Sequence, residues 1–299
     1  MKLNTFVLYS CILFLLVGCN QNKFNNQNHS KTNEQKSYQV QSIHPNHVPV
    51  YSPSDVDTSG TPYILPIKGT SRKLTPSAWQ RMLQWRRDIL AFPKRYPNDV
   101  FVNGPNKKMV ALTFDDGPDR IITPKIIASL KQENIKGTFF FIGEKVHKYP
   151  EIVKSAYNNG NVIANHSFNH YDFSKKTETE IHQNLEKASE AIRRVIGKSP
   201  ALLRPPFGET DAKLVNVAKK DHYKIILWSI DTLDWSNREQ SMIQQNVLDN
   251  VRNGDIILMH TDEYAIETAK AVPIIIVELK RRGFQMVDVA TLLNTSPYK

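Results

Sequence analysis

The chain has 299 residues and a formal net charge of +10, with 40% hydrophobic and 23% charged residues. This composition is typical of a soluble globular protein with one large domain or two modest ones. The positive charge would suit nucleic acid in an intracellular protein. However, the sequence contains no zinc-finger spacing and no strip of aromatic and basic residues, so no nucleic-acid partner is predicted.

The first 19 residues, "MKLNTFVLYSCILFLLVGC", have the character of an export signal. Lys2 precedes an apolar stretch of about a dozen residues, which is short for a membrane span and ends in small residues. The ending "LVGC" resembles the bacterial lipobox, in which the cysteine is lipidated and becomes the first mature residue. We therefore predict a lipoprotein signal peptide over residues 1–19, lipidation at Cys19 and an exported protein anchored to the membrane. An uncleaved signal anchor and cleavage without lipidation are the alternatives.

Residues 20–60 are rich in Asn, Gln, Ser and Pro and contain few large apolar side chains. Such a segment cannot bury enough apolar surface to fold, so 20–60 is predicted to be a flexible, disordered tether. For a positively charged protein held at the cell surface, the acidic polymers of the cell wall are the expected electrostatic partner.

A helix is predicted after the tether, and strands and helices alternate beyond it. In "TPSAWQRMLQWRRDILAF", Thr75 is placed to cap the helix and Pro76 to occupy its first position, so residues 61–104 are predicted to be an N-terminal helical extension. The helical stretch 177–196 begins with a capping box of Thr177 and Glu180. Strand-like apolar runs occur from about residue 105 onward; they are "KMVALTF", "GTFFFIG", "NVIANHS", "ALLRPPF", "KIILWSI", "DIILMHT" and "FQMVD".

Short, nearly all-apolar strands separated by helices indicate a parallel sheet that is covered by helices. Such units can close into a (β/α) barrel or form an open doubly wound sheet, and the periodicity does not choose between the two. In both architectures, a functional site is expected among the polar residues at the C-terminal ends of the strands.

Five successive strand ends carry polar, chemically active side chains. In chain order they are Asp115 and Asp116, His166 and His170, Arg204, Asp231 with Asp234 and Trp235, and His260. Because the C-terminal ends of parallel strands meet at one edge of a sheet, we expect these side chains to form a single site. Adjacent residues of an extended chain point in opposite directions, so Asp115 and Asp116 are expected to have separate partners.

His166 and His170 have the spacing of a metal-binding pair. Residues four apart on a helical turn present both imidazoles on the same side, and an aspartate from a neighbouring strand would complete a His-His-Asp set for a divalent metal. The other aspartate would then be free to act as a base. A calcium loop at "DDGPD" is the rival interpretation, but the alternating acidic ligands and the distal Glu of an EF-hand loop are missing.

The motifs "TFDDGP", "HSFNH", "RPPFG", "DTLDW" and "LMH" resemble, in order and spacing, those of the NodB-homology polysaccharide deacetylases, carbohydrate esterase family four. The resemblance covers roughly residues 105–293. It implies a distorted (β/α)7-type barrel for a domain over residues 105–299. It also implies metal-dependent hydrolysis of N-acetyl groups from a polysaccharide that contains N-acetylglucosamine. Zinc is the most frequent metal of the family, and cobalt or another divalent ion is the alternative.

The resemblance further implies a role for each residue of the site. These roles are general base for Asp115, held by Arg204; metal ligand for Asp116, His166 and His170; general acid for His260, paired with Asp234; oxyanion donor for the backbone N–H of Phe207; and lining of an acetyl pocket for Trp235 and Leu258. The family more often has Tyr where this chain has Phe207. The backbone donor is unaffected by that difference, although contacts with the substrate would change.

Peptidoglycan is the predicted substrate because a surface tether places the domain beside the cell wall. Chitin oligomers, an exopolysaccharide and an O-acetylated glycan are alternative substrates for the same fold. A surface lipoprotein that only binds glycans is the non-enzymatic alternative, but a degenerate member would be expected to lose a metal ligand or the base. Residues 61–104 could shape the substrate groove or cap the barrel.

Overall fold

The computed structural model describes residues 61–299. The predicted signal peptide over 1–19, the predicted lipidation site Cys19 and the predicted tether over 20–60 lie outside the described residues. Among residues 61–299, no helix reaches the length and hydrophobicity that crossing a membrane requires.

One curled sheet of nine strands organises the described part of the chain. The strands are β1 (Val100–Phe101), β2 (Met109–Asp115), β3 (Thr138–Phe141), β4 (Val162–Asn165), β5 (Leu202–Leu203), β6 (Lys224–Ile226), β7 (Ile230–Asp231), β8 (Ile256–His260) and β9 (Gln285–Val287). They lie in the order β1-β6-β5-β4-β3-β2-β8-β7, with β9 beside the start of β2, and every pairing is parallel. The curled parallel sheet with surrounding helices confirms the predicted distorted (β/α)7-type barrel.

Eleven α-helices accompany the sheet within residues 61–299. They are α1 (Pro76–Asp88), α2 (Ala91–Arg95), α3 (Ile122–Gln132), α4 (Gly143–Lys148), α5 (Pro150–Asn158), α6 (Glu178–Ile196), α7 (Ala212–Lys220), α8 (Asp234–Asn237), α9 (Gln240–Leu248), α10 (Ile266–Arg281) and α11 (Val289–Leu293). The predicted starts are confirmed: Thr75 Oγ1 accepts from the N–H of Ala78 at 3.3 Å, and Thr177 and Glu180 form the capping box of α6. These side chains satisfy backbone N–H groups that have no partner inside the helix.

Two elements differ from the sequence prediction. The run "KIILWSI" does not form one strand, because the chain changes partners within it: the N–H of Leu227 bonds Phe101, while the N–H of Ser229 bonds Ile256. The run therefore divides into β6, which pairs with β1 and β5, and β7, which pairs with β8. Strand β1 was not predicted, and it adds part of the N-terminal extension to the edge of the sheet.

Alternate residues of the central strands pack into two separate apolar clusters. In β2, Leu112 and Phe114 belong to the cluster formed with α3 and α10, while Ala111 belongs to the other cluster, which includes residues of α11. In β8, Met259 belongs to the first cluster and Leu258 to the second. This period of two is expected when both faces of a sheet are buried.

The register of β2 and β8 brings two of the predicted site residues side by side. Asp115 and His260, the last residues of the two strands, are direct partners across the sheet. On the other side of β2, Asp115 is opposite Phe140 of β3, and Asn165 of β4 is opposite Phe141. The C-terminal ends of four neighbouring strands, β4, β3, β2 and β8, therefore meet at one edge of the sheet, and three of the four carry residues of the predicted site.

Candidate active site

Arg204 follows β5 and holds the Asp115 side chain in place. The Arg204 side chain is completely buried, and its Nη1 donates to Asp115 Oδ1 at 2.9 Å and to Thr113 Oγ1 at 2.8 Å. Its Nε and Nη2 donate to the carbonyl oxygens of Ile226 and Leu227, each at 2.9 Å. A guanidinium held by four hydrogen bonds has little freedom to move, so it orients the carboxylate that it contacts. Asp115 is left with Oδ2 facing the site.

The second carboxylate, that of Asp116, faces the two histidines. Asp116 Oδ1 lies 3.3 Å from Nε2 of His166 and 3.2 Å from Nε2 of His170. One possible ligand atom from each residue lies within 4.8 Å of the other two, and we call Asp116, His166 and His170 the ligand trio. Asp116 Oδ1 is buried and has no hydrogen-bond partner within residues 61–299. A buried oxygen of this kind calls for an ion or a water molecule.

The predicted helical turn between His166 and His170 is wrong. The segment is an irregular loop, in which Ser167 and His170 have positive φ values of 67° and 57°. Asn165 Oδ1 accepts from the N–H of Ser167 at 2.8 Å, and Ser167 Oγ accepts from the N–H of His170 at 2.8 Å. These side chains bond the backbone locally and compete with a helix, which is the physical reason for the loop. The loop still brings both Nε2 atoms to Asp116.

The chemistry of the ligand trio fits a divalent metal ion. Nδ1 of His166 lies 2.7 Å from the carbonyl oxygen of Arg204, which can only accept a hydrogen bond, so Nδ1 carries a proton. In the neutral ring Nε2 then has a free lone pair and is the atom that can bind a metal ion. Burial raises the pKa of Asp116, but the imidazoles beside it outweigh burial and hold the pKa well below its usual range. Two imidazoles and one ionised carboxylate are a common donor set for Zn²⁺ and related ions. The trio could therefore hold the predicted metal.

His260 forms a buried ion pair with Asp234. Nδ1 of His260 is 2.7 Å from Asp234 Oδ1, and the backbone N–H of His260 donates to Asp234 Oδ2 at 2.8 Å. Burial lowers the pKa of His260, but the Asp234 carboxylate outweighs it and raises the pKa to about 10. Burial likewise raises the pKa of Asp234, and the imidazolium holds it below its usual value. His260 is therefore cationic at neutral pH.

A tight turn after Arg204 places Phe207 beside the ligand trio. Phe207 has φ 59° and ψ 4°, and Gly208 follows with φ 71°. A Cβ atom at Gly208 would lie 2.7 Å from Trp228 and 2.8 Å from Trp85, so the turn requires glycine there. The Phe207 ring meets the His170 ring edge-on, with 4.7 Å between their centroids. The backbone N–H that the resemblance assigns to the oxyanion thus belongs to a residue in contact with the trio.

Trp235 and Leu258, the predicted acetyl pocket, are both linked to Asp231. Leu258 is buried in β8 and pairs with Asp231 of β7. Trp235 is half-buried, and its Nε1 donates to Asp231 Oδ1 at 3.2 Å. The ion-pair partner of Asp231 is Arg86 of α1, at 3.4 Å.

Two supporting residues carry no signal in the motifs. Lys145 of α4 donates from Nζ to the carbonyl oxygen of Asp116 at 2.6 Å, and Thr268 of α10 donates from Oγ1 to Asp234 Oδ2 at 2.8 Å. Lys145 lies in the first turn of the helix that follows β3, and Thr268 lies in the first turn of the helix that follows β8. Both side chains reach back to the site. A search of strand ends could not find them, although position in the first turns of the next helix is a usable criterion.

Comparisons with known proteins agree with this geometry. The family model "Polysaccharide deacetylase" matches residues 103–226. A peptidoglycan-N-acetylglucosamine deacetylase of Bacillus cereus is 40% identical over 197 residues, which are 65% of this chain and 72% of the relative. The family model therefore spans β2 to β6, and the residues before 103 lie outside it.

Two solved structures share the fold. One is a peptidoglycan N-acetylglucosamine deacetylase in complex with a naphthalenyl N-oxidanyl-benzamide; it has a TM-score of 0.67 and 37% identity, over 70% of this chain and 98% of that one. The other is a CE4 family pseudoenzyme from Bacillus anthracis, with a TM-score of 0.61 and 28% identity, over 64% of this chain and 68% of that one. The fold thus occurs with and without activity, and the side chains of the site must decide between them.

Proposed function

Because this chain belongs to the polysaccharide deacetylase family, we propose that it removes N-acetyl groups from peptidoglycan and releases acetate. The observation that carries the proposal is the register of β2 and β8, which sets Asp115 beside His260. A carboxylate held by Arg204 and an imidazolium held by Asp234 thereby meet next to the ligand trio. Amide hydrolysis needs a base and an acid in this proximity.

Asp115 is the proposed general base. Its Oδ1 is occupied by Arg204, so Oδ2 is the atom that accepts the proton of the attacking water. A divalent metal held by the ligand trio, for which we propose zinc, supplies a Lewis acid that polarises the acetyl carbonyl and lowers the pKa of a water molecule. Asp115 lies in the strand and Asp116 in the following turn, with φ 69°, which is how adjacent carboxylates acquire separate tasks.

His260 is the proposed general acid. An amide nitrogen must be protonated before the amine can leave, and a cationic imidazole can supply that proton near neutral pH. The pKa of about 10 that Asp234 gives to His260 keeps the proton in place before the reaction. An ester oxygen can leave with less help from a proton donor than an amide nitrogen, so the presence of the His260–Asp234 pair favours an N-acetyl over an O-acetyl substrate.

The oxyanion and the acetyl methyl have proposed partners at the turns that flank the trio. The backbone N–H of Phe207 would contribute about 3 kcal/mol to the tetrahedral intermediate, the usual value for one such donor. Trp235 and Leu258 would enclose the methyl group and would thereby disfavour larger acyl groups.

Exposed apolar side chains surround the site and suit a long glycan. Four of the six large hydrophobic residues that are exposed within residues 61–299 lie on loops that follow β2, β4, β5 and β8; they are Ile121, Tyr171, Phe207 and Tyr264. Aromatic faces at a rim pack against the apolar faces of sugar rings. Chitin oligomers and exopolysaccharides would use the same rim and remain the alternative substrates.

A glycan-binding protein without catalysis is the second candidate, since the fold also occurs in a pseudoenzyme. The observation against it is that base, acid and ligand trio are all present at the same edge of the sheet. We also propose that residues 1–19 form a lipoprotein signal, that Cys19 carries the lipid and that the enzyme acts on the outer side of the membrane. Labelled palmitate incorporated by the wild type and lost in Cys19→Ser would support the anchor, and equal labelling of both would refute it.

Acetate release tests the enzymatic proposal. The purified protein is stripped of metal with a chelator and supplied with zinc or cobalt, then given peptidoglycan, N-acetylglucosamine oligomers and an O-acetylated glycan. Asp115→Asn should abolish release and still bind metal. Asp88→Asn, at an exposed position of α1 that contacts Gln84, is the matched control and should behave as wild type. Metal binding without release from any substrate would favour the glycan-binding protein.

A further inference from the structure

The N-terminal extension contacts the segment that carries Asp234 and Trp235. The family model begins to match at residue 103, whereas α1 ends at Asp88, so these contacts come from outside the matched residues. They are made by the side chain of Arg86 and by residues 70–73. They reach Asp231 of β7 and three residues of α8, on either side of the turn that joins these elements.

Arg86 is a buried cation held between the extension and the sheet. Its side chain is 5% exposed, and Nη1 lies 3.4 Å from Oδ2 of Asp231, which is 4% exposed. Nη2 donates to the carbonyl oxygen of Leu65 at 2.8 Å, and the N–H of Leu65 donates to Ser229 at 2.8 Å. Arginine has donors enough for both contacts, whereas the single ammonium group of lysine does not reproduce the fork.

Asp231 connects Arg86 to the site. While Oδ2 faces Arg86, Oδ1 accepts from the N–H of Leu233 at 2.9 Å and from Nε1 of Trp235 at 3.2 Å. Leu233 has a positive φ of 61°, and this turn starts α8 with Asp234. One carboxylate thus fixes both the indole of Trp235 and the turn that presents Asp234.

A second set of contacts holds the other side of α8. Ser71 Oγ and Ser236 Oγ are 2.6 Å apart, and the N–H of Arg72 donates to Asn237 Oδ1 at 2.9 Å. Lys73 Nζ donates to the carbonyl oxygen of Trp235. Three consecutive residues of the extension therefore bind three of the four residues of α8.

We propose that Arg86 is a positioning residue of the site, which acts through Asp231 to fix the indole of Trp235 and the turn that carries Asp234. The N-terminal extension then helps to position residues of the site and does more than cover the barrel. Its effect on turnover rests on the proposed function, whereas its effect on Trp235 does not. Removing one partner of a buried ion pair leaves an uncompensated charge, so Asp231 is expected to reorient or to admit water.

The test follows the indole directly and separately from catalysis. In a ¹H–¹⁵N spectrum the four tryptophans give four indole signals, and Trp235→Phe identifies the one that belongs to Trp235. Arg86→Met should shift or broaden that signal while the Trp79 signal stays. Arg87→Met is the matched control, since Arg87 is the next residue of α1, is exposed and contacts Gln84.

The catalytic readout is selectivity for the acyl group, which a purely structural role would not change. Arg86→Met should lower kcat for an N-acetyl oligomer about tenfold, because small displacements of positioning groups have large effects on rate. Arg86→Met should also lower the ratio of the rate with an N-acetyl oligomer to the rate with an N-propionyl oligomer. Arg87→Met should leave kcat and this ratio within about twofold of wild type.

Three outcomes are informative. An unmoved Trp235 signal in folded Arg86→Met overturns the proposal. If Arg86→Met does not fold, Arg86→Lys decides by the same signal, with a smaller shift expected because the charge remains. A moved signal in a protein whose wild type releases no acetate supports the positioning role and refutes the proposed function instead.

Discussion

Replacing Asp234 by asparagine should convert the site from one that works in alkaline solution to one that works only in acid. The change keeps the size of the side chain and an oxygen for the N–H of His260, but it removes the charge that raises the histidine pKa to about 10. Without that charge the pKa should fall toward the ordinary histidine value of about 6.5, because burial lowers it while the weaker influence of Asp116 and Asp115 still raises it.

The loss then depends on pH in a calculable way. At pH 8, a histidine with a pKa of about 10 is almost fully protonated, whereas one with a pKa of 6.5 is about 3% protonated. The rate at pH 8 should therefore fall about 30-fold if His260 is the acid. At pH 5.5 an ordinary histidine is still about 90% protonated, so the loss there should be small.

The assay is kcat for acetate release between pH 5 and 9. Thr268→Val is the matched control, because it removes the other side-chain hydrogen bond to Asp234 and leaves the charge. The decline of kcat at alkaline pH should occur at the same pH in Thr268→Val as in the wild type. An equal loss at pH 5.5 and pH 8 in Asp234→Asn, or an unmoved alkaline limb, would refute the assignment of His260.

The free energy of unfolding should depend on the same His260–Asp234 ion pair, and it can be measured without any catalytic assay. The folded-state pKa of His260, about 10, lies above the ordinary value of 6.5, so its contribution is complete below pH 6.5 and is lost as pH rises through 10. Urea unfolding of the metal-free protein at pH 7 and pH 10 should show this decline. In Asp234→Asn the decline should largely disappear, and an undiminished decline would assign it to other groups.

Three further changes have expected outcomes. His166→Gln should reduce zinc affinity at least tenfold by calorimetry, because it removes one nitrogen donor, and affinity in the wild type should fall with decreasing pH as protons compete for the ring. Arg204→Met should lower the free energy of unfolding by about 3–5 kcal/mol, since it leaves Asp115 buried without its partner, while the exposed Arg193→Met should change it by less than about 1 kcal/mol. Gly208→Ala should lower the melting temperature, because its φ of 71° and the indoles around it leave no room for a Cβ; an unchanged melting temperature would contradict that reading.

The sequence was sufficient to predict that polar side chains at the ends of several strands lie together at one edge of the sheet. Five apolar runs each end in polar residues, and parallel strands bring such ends together whatever their order in the sheet. Alternation along an extended chain predicted separate partners for Asp115 and Asp116, and in the structure they face Arg204 and the histidines respectively. The chain is not extended at that point, however, because the positive φ of 69° at Asp116 is what turns the second carboxylate away from the first. The capping box at Thr177 and Glu180 and the helix start at Thr75 were equally visible, because their signals are local.

The remainder depends on interactions between distant residues. The loop between His166 and His170 is shaped by side chains that bond the backbone, and a spacing of four residues does not distinguish that loop from a helix. The partner of Asp231 is 145 residues away in the chain, and no local pattern marks Arg86 among its neighbouring arginines. The break between β6 and β7 arises where the chain changes partner strands, which apolar composition cannot reveal.

The packing of Gly208 between two indoles joins the N-terminal extension to the barrel. Trp228 follows β6 and Trp85 belongs to α1, with 5.9 Å between their ring centroids, and both touch the turn at Gly208. A chain cut at the start of the family match would lose Trp85 and Arg86 together, which would uncover Trp228 and leave Asp231 without its cation. Exchange of catalytic domains between relatives should therefore use a junction before Leu65, so that the helix travels with the barrel it completes.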